Sequence, residues 1–326
     1  MVDYARQAIL HALLAAGVVE TLLHVWNVRP TRLRLAFRLL ALALPLLALP
    51  AFFLLAPVRT SDWFADHRAV FATARWAGVQ VGGAGVDQMV FSALALAGTA
   101  LYLLDLVPFL AARLLHGPTS EPGPAAASAL SGRVARVAAA MRMPPPPVRI
   151  VHDESPVLLC RGVRHPALVA SAAVAERLDD RQLDAALAHE LVHVRHRDPL
   201  LGWILMAART LMFFNPFVQL MARAAVHEIE RRADEEAAAV VDARAEVAAA
   251  IVALFRRSHA DTADCVPAGA ARLAAPQRLL QQARLADVER RCRRLLERDT
   301  SPVPPFGGLR LALTGVGLVA LLFFVV

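Results

Sequence analysis

The sequence predicts a mainly helical, multi-span membrane protein that carries one larger polar domain with a small β element. Three observations predict it. Hydrophobic residues make up 57% of the 326 and charged residues only 19%, with a mean hydropathy of +0.47; an ordinary soluble domain has about 25% charged residues. Four apolar stretches come close to the ~20 residues that a bilayer crossing needs. Between the third and the fourth, residues 114–305 alternate helical apolar periods with three short strand-like runs.

The first apolar stretch runs over residues 8–26. It carries Glu20 and His24 one turn apart, so that face is expected to look into a helix bundle rather than at lipid. Glu20, and Asp3 where a basic leader would begin, also argue against a cleaved signal peptide. The second stretch, 39–57, is uncharged, with Pro45 and Pro50 as expected kinks. The third, 89–112, contains Asp105, and the fourth, 306–326, is entered by Arg310. Arg29, Arg32, Arg34 and Arg38 lie between the first two stretches with no acid among them. The positive-inside rule puts that loop in the cytoplasm. Three crossings then leave residues 114–305 cytoplasmic, in a cell inner membrane. The expected organisation is a membrane domain over 1–113, a cytoplasmic domain over 114–305 and a last span over 306–326.

Within the polar region, a linker over Gly117–Pro124 precedes an amphipathic helix marked by Leu130, Val134, Val137 and Met141. Val148–His152, Val157–Cys160 and Ala167–Ser171 read as short strands, with Gly162 and Pro166 at the last turn. A helix begins at Asp179, with Gln182 three residues on as in a capping box, and runs to Asp198 before Pro199. An apolar segment, Leu200–Met221, follows. Polar helices are expected over Ala224–Arg257 and Gln277–Arg298, joined by a loop around Asp261–Pro267.

The chemistry lies in His189-Glu190-Leu191-Val192-His193. Two histidines at i and i+4 share a helical face and are close enough to bind one tetrahedral metal. Glu190 sits beside that metal, placed to take a proton from water; this is the HExxH arrangement of zinc peptidases. A zinc ion lowers the pKa of a water to about 7 and polarises a scissile carbonyl, and Glu190 serves as general base. A catalytic zinc needs a third protein ligand. Glu230, in Glu230-Arg231-Arg232-Ala233-Asp234, is the candidate, with Asp234 one turn on to orient a ligand histidine. Glu228 is the rival, on another face. His227, one turn before Glu230, is a candidate donor to the oxyanion. Asp198 is a candidate brace for the helix end, and His196 is not expected to be a ligand. One zinc per chain is expected. The substrate is expected to be a protein or peptide, held as an extended strand along Ala167, Leu168, Val169, Ala170 and Ser171 through backbone hydrogen bonds.

His189-Glu190-Leu191-Val192-His193-Val194-Arg195-His196-Arg197-Asp198, then Phe214-Asn215-Pro216, then Glu230 to Asp234, resemble the integral-membrane gluzincins of the BlaR/MecR type. The segment Arg161 to Ser171 before the HExxH helix matches as well, so the resemblance covers about 148–299. It implies a gluzincin-like peptidase domain engaged in regulatory or signalling proteolysis. HtpX-type quality-control proteases share both motifs but place a hairpin of spans between them. Here 36 residues separate His193 from Glu230. Two crossings need about 40, so Leu200–Met221 is expected to be a core or membrane-surface helix. The sequence ends at Val326 without the external penicillin-binding sensor of those receptors, so β-lactam sensing is not implied.

A reading of another class is a non-catalytic membrane scaffold with a structural zinc; an intact Glu190 argues against it. All 35 basic residues are Arg and the net charge is +7. With the Ala richness this reads as coding bias, and no nucleic-acid partner is expected; the lipid bilayer is. Cys160, Cys265 and Cys292 show no CxxC spacing, which fits a reducing compartment. The helix over Gln277–Arg298 holds seven Arg against three acids and reads as an amphipathic helix closing the domain.

Overall fold

The computed structural model describes residues 2–72, 79–81, 84–115, 124–151, 157–263, 274–297 and 306–326. Most of the linker expected over Gly117–Pro124, His152, Cys265 and the later part of the loop at Asp261–Pro267 lie outside the described residues. The chain divides into two compact units. The first comprises Met1–Leu115, Trp203–Ile229 and Ser301–Val326; the second comprises His116–Gly202 and Glu230–Thr300. Residues 203–229, expected in the peptidase domain, therefore belong with the apolar helices.

The first unit is built on α1 (Val2–Val25), α2 (Thr31–Leu55), α4 (Val86–Leu115) and α12 (Gly307–Phe323), with a short α3 (Asp62–His67) and a two-residue hairpin, β1 (Gln80–Val81) with β2 (Ala84–Gly85). Among the described residues, Tyr4–Val25, Thr31–Leu55 and Val86–Val107 are long and apolar enough to cross a bilayer. At 17 residues α12 is shorter, about 26 Å. Its C-terminal carbonyls are met by Arg59, whose guanidinium donates to Phe323 O at 2.8 Å, Leu322 O at 3.0 Å and Val325 O. Helix ends leave such carbonyls without intrahelical partners, and a buried cation there satisfies several at once.

The apolar segment Leu200–Met221 is a helical elbow. The helix α8 (Asp198–Leu211) stops, and α9 (Pro216–Val241) starts after a turn at Phe214 and Asn215. The buried Asn215 explains the turn. Its Oδ1 accepts from the backbone N–H of Phe217 and Val218, capping α9, with Pro216 at the first helical position. Its Nδ2 donates to Ala8 O of α1 at 2.9 Å. On the other side, a Cβ added to Gly98 of α4 would sit 2.3 Å from Phe214 O, so only glycine admits the turn that closely. Two ion networks fix the elbow. Asp105 of α4 accepts from Arg209 of α8 and from Arg223 of α9, the latter through two bonds of 2.9 and 3.1 Å. Glu228 of α9 accepts from Arg34 at 2.8 Å and Arg38 at 2.6 Å, both of α2, and Arg38 reaches Glu20 of α1 at 2.9 Å.

In the second unit, α5 (Pro124–Ala140) and the turn after it bury the four predicted residues Leu130, Val134, Val137 and Met141. Three strands follow, β3 (Val148–Val151), β4 (Leu158–Arg161) and β5 (Ala167–Ser171), in the order β3-β5-β4. The turn before β5 uses Gly162 at φ 108°. A short α6 (Ala172–Arg177) leads to α7 (Asp180–His196), whose cap is the predicted Asp179, accepting from the N–H of Arg181 and Gln182. The helix ends at Arg197 in the left-handed region rather than continuing to Asp198. The single polar helix expected over Ala224–Arg257 is two, α9 and α10 (Arg244–Ala263), broken at Asp242 with φ 49°. The last helix of this unit is α11 (Ala274–Leu296). Leu183, Leu187 and Leu191 of α7 join residues of α5, β3, β5, α10 and α11 in one core, while His189, Glu190 and His193 of the same helix stay partly exposed.

The glycine at the elbow yields a test with opposite signs at two positions. Gly98→Ala is expected to destabilise the protein by about 1–3 kcal/mol through overpacking. Gly17→Ala on α1, where nothing lies within 4 Å of the added carbon, is expected to stabilise it by about 0.5–1 kcal/mol. Thermal unfolding of the detergent-solubilised protein measures both.

Candidate metal centre

Three side chains of the second unit converge. His189 and His193 of α7 and Glu230 of α9 each offer one ligand atom, all within 4.8 Å of one another. The Nε2 atoms of the two histidines are 3.2 Å apart, Glu230 Oε2 is 3.6 Å from His189 Nε2, and Glu230 Oε1 is 3.8 Å from His193 Nε2. Tetrahedral zinc with bonds of 2.0–2.1 Å sets its ligand atoms about 3.3 Å apart. The donor set of two imidazoles and a carboxylate, at these spacings, fits zinc.

The other nitrogen of each ring is turned to a carboxylate. His193 Nδ1 meets Asp198 Oδ2 at 2.8 Å, and His189 Nδ1 lies 3.0 Å from Asp234 Oδ1 at an angle short of a well-aligned hydrogen bond. Each carboxylate is held by an arginine in turn. Arg232 donates to Asp198 Oδ1, and Arg291 of α11 donates to both oxygens of Asp234 at 2.8 and 2.7 Å. Asp198, Asp234 and Arg232 are buried. Such carboxylates fix the tautomer and ring angle of a ligand histidine and raise its basicity. Local sequence places Asp198: the left-handed Arg197 turns the chain between α7 and α8, so the first residue of α8 comes back beside His193. His196, one turn past His193, pairs instead with Glu236 at 3.0 Å.

Glu190 is next to this cluster. Its Oε2 accepts from the backbone N–H of Cys160 on β4 at 2.8 Å. Burial raises its pKa above the usual carboxylate value, and the neighbouring imidazoles offset that only in part. In Glu230 burial acts the same way but is overcome by His189, Arg291 and His193, and the carboxyl falls well below its ordinary value. Burial also opposes a charge on His189; the carboxylates of Asp234 and Glu230 outweigh it and lift the ring to about 10. The Cys160 thiol is pushed up to about 12, by burial first and then by Glu190 and Asp198, which leaves it inert as a nucleophile. A cleft of about 310 Å³ opens at the cluster, bordered by His189, Glu190, Glu230 and Arg291 and by an apolar wall that includes Val247, Ile251 and Leu254 of α10.

The strand expected to receive substrate is corrected. Ala167, Leu168, Val169, Ala170 and Ser171 form the central strand: β3 pairs with one edge in parallel and β4 with the other antiparallel. All five residues are buried. A strand with both edges bonded has no N–H or C=O left for a peptide. The strand that meets Glu190 is β4, and the Cys160 N–H that reaches it faces away from β5. His227 is exposed and falls in the first unit, as does Glu228, whose carboxylate is bound to Arg34 and Arg38. Sequence reasoning missed Arg232 and Arg291.

Residues 86–279, more than half of the chain, match the family described as BlaR1 peptidase M56. The chain belongs to the BlaR1 peptidase M56 family. Membership in a peptidase family agrees with the apolar helices of the first unit: the chain is an integral membrane protein. It is also similar to proteins named protease HtpX homolog. That of Acidiphilium cryptum is 30% identical over 146 residues, 44% of this chain and 48% of that protein. That of Methylibium petroleiphilum is 35% identical over 95 residues, 26% of this chain and 33% of the relative. That of Limosilactobacillus reuteri is 37% identical over 68 residues, 20% and 23%. The chain thus spans less than half the length of these curated relatives.

The two acids near Glu230 separate in a metal-binding measurement. Asp198→Ala is expected to weaken zinc binding about 10–100-fold by releasing the His193 ring. Glu228→Gln is expected to leave the affinity within about threefold, because its partners are Arg34 and Arg38. Competition against a chromophoric chelator reads both.

Proposed function

We propose that this M56 family member is a membrane-embedded zinc endopeptidase with His189, His193 and Glu230 as ligands, Asp234 behind His189, and Glu190 as general base. The observation that carries the reading is the three-ligand cluster with a separate, half-buried carboxylate at the same cleft. A structural zinc closes its coordination with four protein ligands and needs no such base. A zinc ion held there would supply a Lewis acid that lowers the pKa of a water to about 7 and polarises a carbonyl. Glu190 takes the proton of the attacking water and returns it to the leaving amine nitrogen. Its raised pKa makes it a stronger base than a solvated glutamate. Asp198 and Asp234 hold the imidazoles in one tautomer while this happens.

The role we infer is regulatory proteolysis of a few protein substrates, which the family match supports. The HtpX names of the curated relatives favour a second reading, quality control with a broad substrate range. The peptidase unit is read as cytoplasmic, from Arg29 and the arginines in the first turns of α2, Arg32, Arg34 and Arg38, and from the parity of three spans.

Glu190→Gln is expected to keep its zinc and lose about 10²–10⁴-fold in peptide hydrolysis. Hydrolysis at the wild-type rate would refute the mechanism. Comparing membrane-cell peptides from wild type and Glu190→Gln separates the roles: one or a few cut proteins for regulation, many for quality control. Orientation is read with an impermeant thiol reagent on intact cells, after replacing the native cysteines. A cysteine at the exposed Val70 is expected to react and one at the exposed Pro145 to stay protected. The reverse pattern would place the cluster on the outer face.

A further inference from the structure

We propose that Arg223 holds the phosphate of an anionic phospholipid at the edge of the bilayer, with Arg209 supplying a second positive charge beside it. The inference goes beyond the peptidase reading and does not depend on it, since it concerns residues of the first unit alone.

Asp105 lies in Val86–Val107, a segment long enough to span, and two guanidiniums share its carboxylate. The sum is one positive charge. The network of Glu20, Glu228, Arg34 and Arg38 in the same unit instead closes at zero. An excess charge at a lipid boundary is costly until it pairs or reaches the headgroups. The hydrogen bonds leave the same surplus on the donor side. Asp105 accepts from Arg209 Nη2 and from Nε and Nη2 of Arg223, and that Nη2 gives its other N–H to Leu101 O at 2.9 Å. Arg209 Nε donates to Gln219 Oε1 at 2.8 Å. A guanidinium carries five N–H donors. Among the described residues no acceptor meets Nη1 of either arginine. The Arg223 side chain is 30% exposed, so its two spare donors are open to a ligand.

Position and surroundings name the ligand. Ala224, the residue after Arg223, accepts through its carbonyl from Arg38 Nη1 at 3.3 Å. Arg38 is the last charged residue before the uncharged stretch 39–57 of α2, so Arg223 is level with one end of that apolar stretch. Phospholipid phosphates lie at that border. Leu104 precedes Asp105, and Leu220 and Val226 lie one turn to either side of Arg223; all three are exposed. A free phosphate ion would give up water to come among them. A phospholipid brings acyl chains to the apolar side chains and phosphate oxygens to the guanidinium, a pairing that forms short charge-assisted hydrogen bonds. Charge then chooses the headgroup. Phosphatidylglycerol carries one net negative charge and closes the sum at zero. Phosphatidylcholine adds an ammonium, which leaves the excess uncancelled, and Asp105 has its oxygens taken by the arginines.

A titration tests the site. The full-length protein, in a non-ionic detergent at fixed ionic strength, is titrated with dioctanoyl phosphatidylglycerol, with dioctanoyl phosphatidylcholine and with glycerophosphoglycerol, which is the first headgroup without its chains. Native mass spectrometry reads the bound fraction. Phosphatidylglycerol is expected to bind about tenfold or more tightly than either of the others. Arg223→Gln is expected to cut that preference to less than about threefold. Arg29→Gln removes the same charge from an exposed position of the same unit and is expected to leave the preference intact. Because Arg223→Gln also takes a partner from Asp105, two further variants guard against misfolding. Arg223→Lys keeps that partner and is expected to lose about threefold in phosphatidylglycerol affinity. Asp105→Asn releases both arginines and is expected to bind phosphatidylglycerol more tightly, whereas a trio that only ties helices together would gain nothing. Equal affinity for the two lipids, glycerophosphoglycerol bound as tightly as the lipid, full preference in Arg223→Gln, or unchanged or weaker binding by folded Asp105→Asn would overturn the proposal. So would a photoreactive group at the exposed Leu104 that captures a protein instead of lipid in native membranes.

Discussion

Burying an ionised side chain costs several kcal/mol unless a partner meets it, and in this chain the partners of the buried and half-buried charges fix which helices touch. Asp105 draws Arg209 and Arg223 to α4, and Glu228 draws Arg34 and Arg38 to α9. Arg59 answers helix-end carbonyls instead of an acid. In the second unit, Asp198 has Arg232 and Asp234 has Arg291. Such pairs add little net stability over apolar side chains of equal volume, but breaking one that is buried on both sides, as Asp198–Arg232 is, costs about 3–5 kcal/mol. Their effect is therefore on register: a helix rotated by one residue strands a charge. The exclusive use of Arg suits this, because its planar fork bonds a carboxylate through two parallel N–H groups, as Arg223 and Arg291 do.

The same accounting bears on what the cluster can hold. Around it stand four carboxylates, Glu190, Glu230, Asp198 and Asp234, and two guanidiniums, Arg232 and Arg291. With both histidines neutral, the formal sum is four negative charges against two positive. One divalent cation closes it. Without a cation a proton takes the role in part, which is why His189 is lifted to about 10 by its two acids against the pull of burial. Glu190 is the one of the four acids without an arginine in these contacts. Its bond is to a backbone N–H, a weaker hold than a guanidinium. A base has to exchange protons with water, so an uncommitted carboxylate with a raised pKa is the chemically sensible member of the set.

Much of this centre was legible in the sequence, for local reasons. Spacing of i and i+4 puts His189 and His193 on one face whatever the tertiary fold, and Asp179 caps the helix that carries them. The apolar stripe of α5 and the strand β5 were equally local signals. What was not legible depends on contacts distant in the chain. Strand order is one case: Ala167–Ser171 reads as a strand, but its central place comes from β3 pairing across some twenty residues. Arg291 is another, one of six arginines in its helix, told apart by Asp234 and Glu230 alone. The break at Asp242 carries no glycine to announce it, and an aspartate in the left-handed region is tolerated without leaving a clear mark in the sequence.

The elbow between the two metal-binding motifs joins these threads. His193 and Glu230 meet in one cluster although 36 residues separate them. The chain between them must go out and come back. At 14 residues, α8 is about 21 Å long, short of the ~30 Å hydrocarbon layer. A crossing is thus out of reach of the outward arm, yet its turn packs on Ala8 and Gly98, both inside segments long enough to span. Such a turn leaves water with its polar backbone groups, and in an apolar setting each needs a partner. Asn215 supplies that by capping α9 with one end of its amide and bonding α1 with the other. Gln219 does the same for α8, donating to the carbonyls of Arg209 and Met212. The arginines on the two arms find Asp105 rather than acyl chains. The elbow's polar residues are therefore what lets an apolar segment too short to cross end among membrane helices.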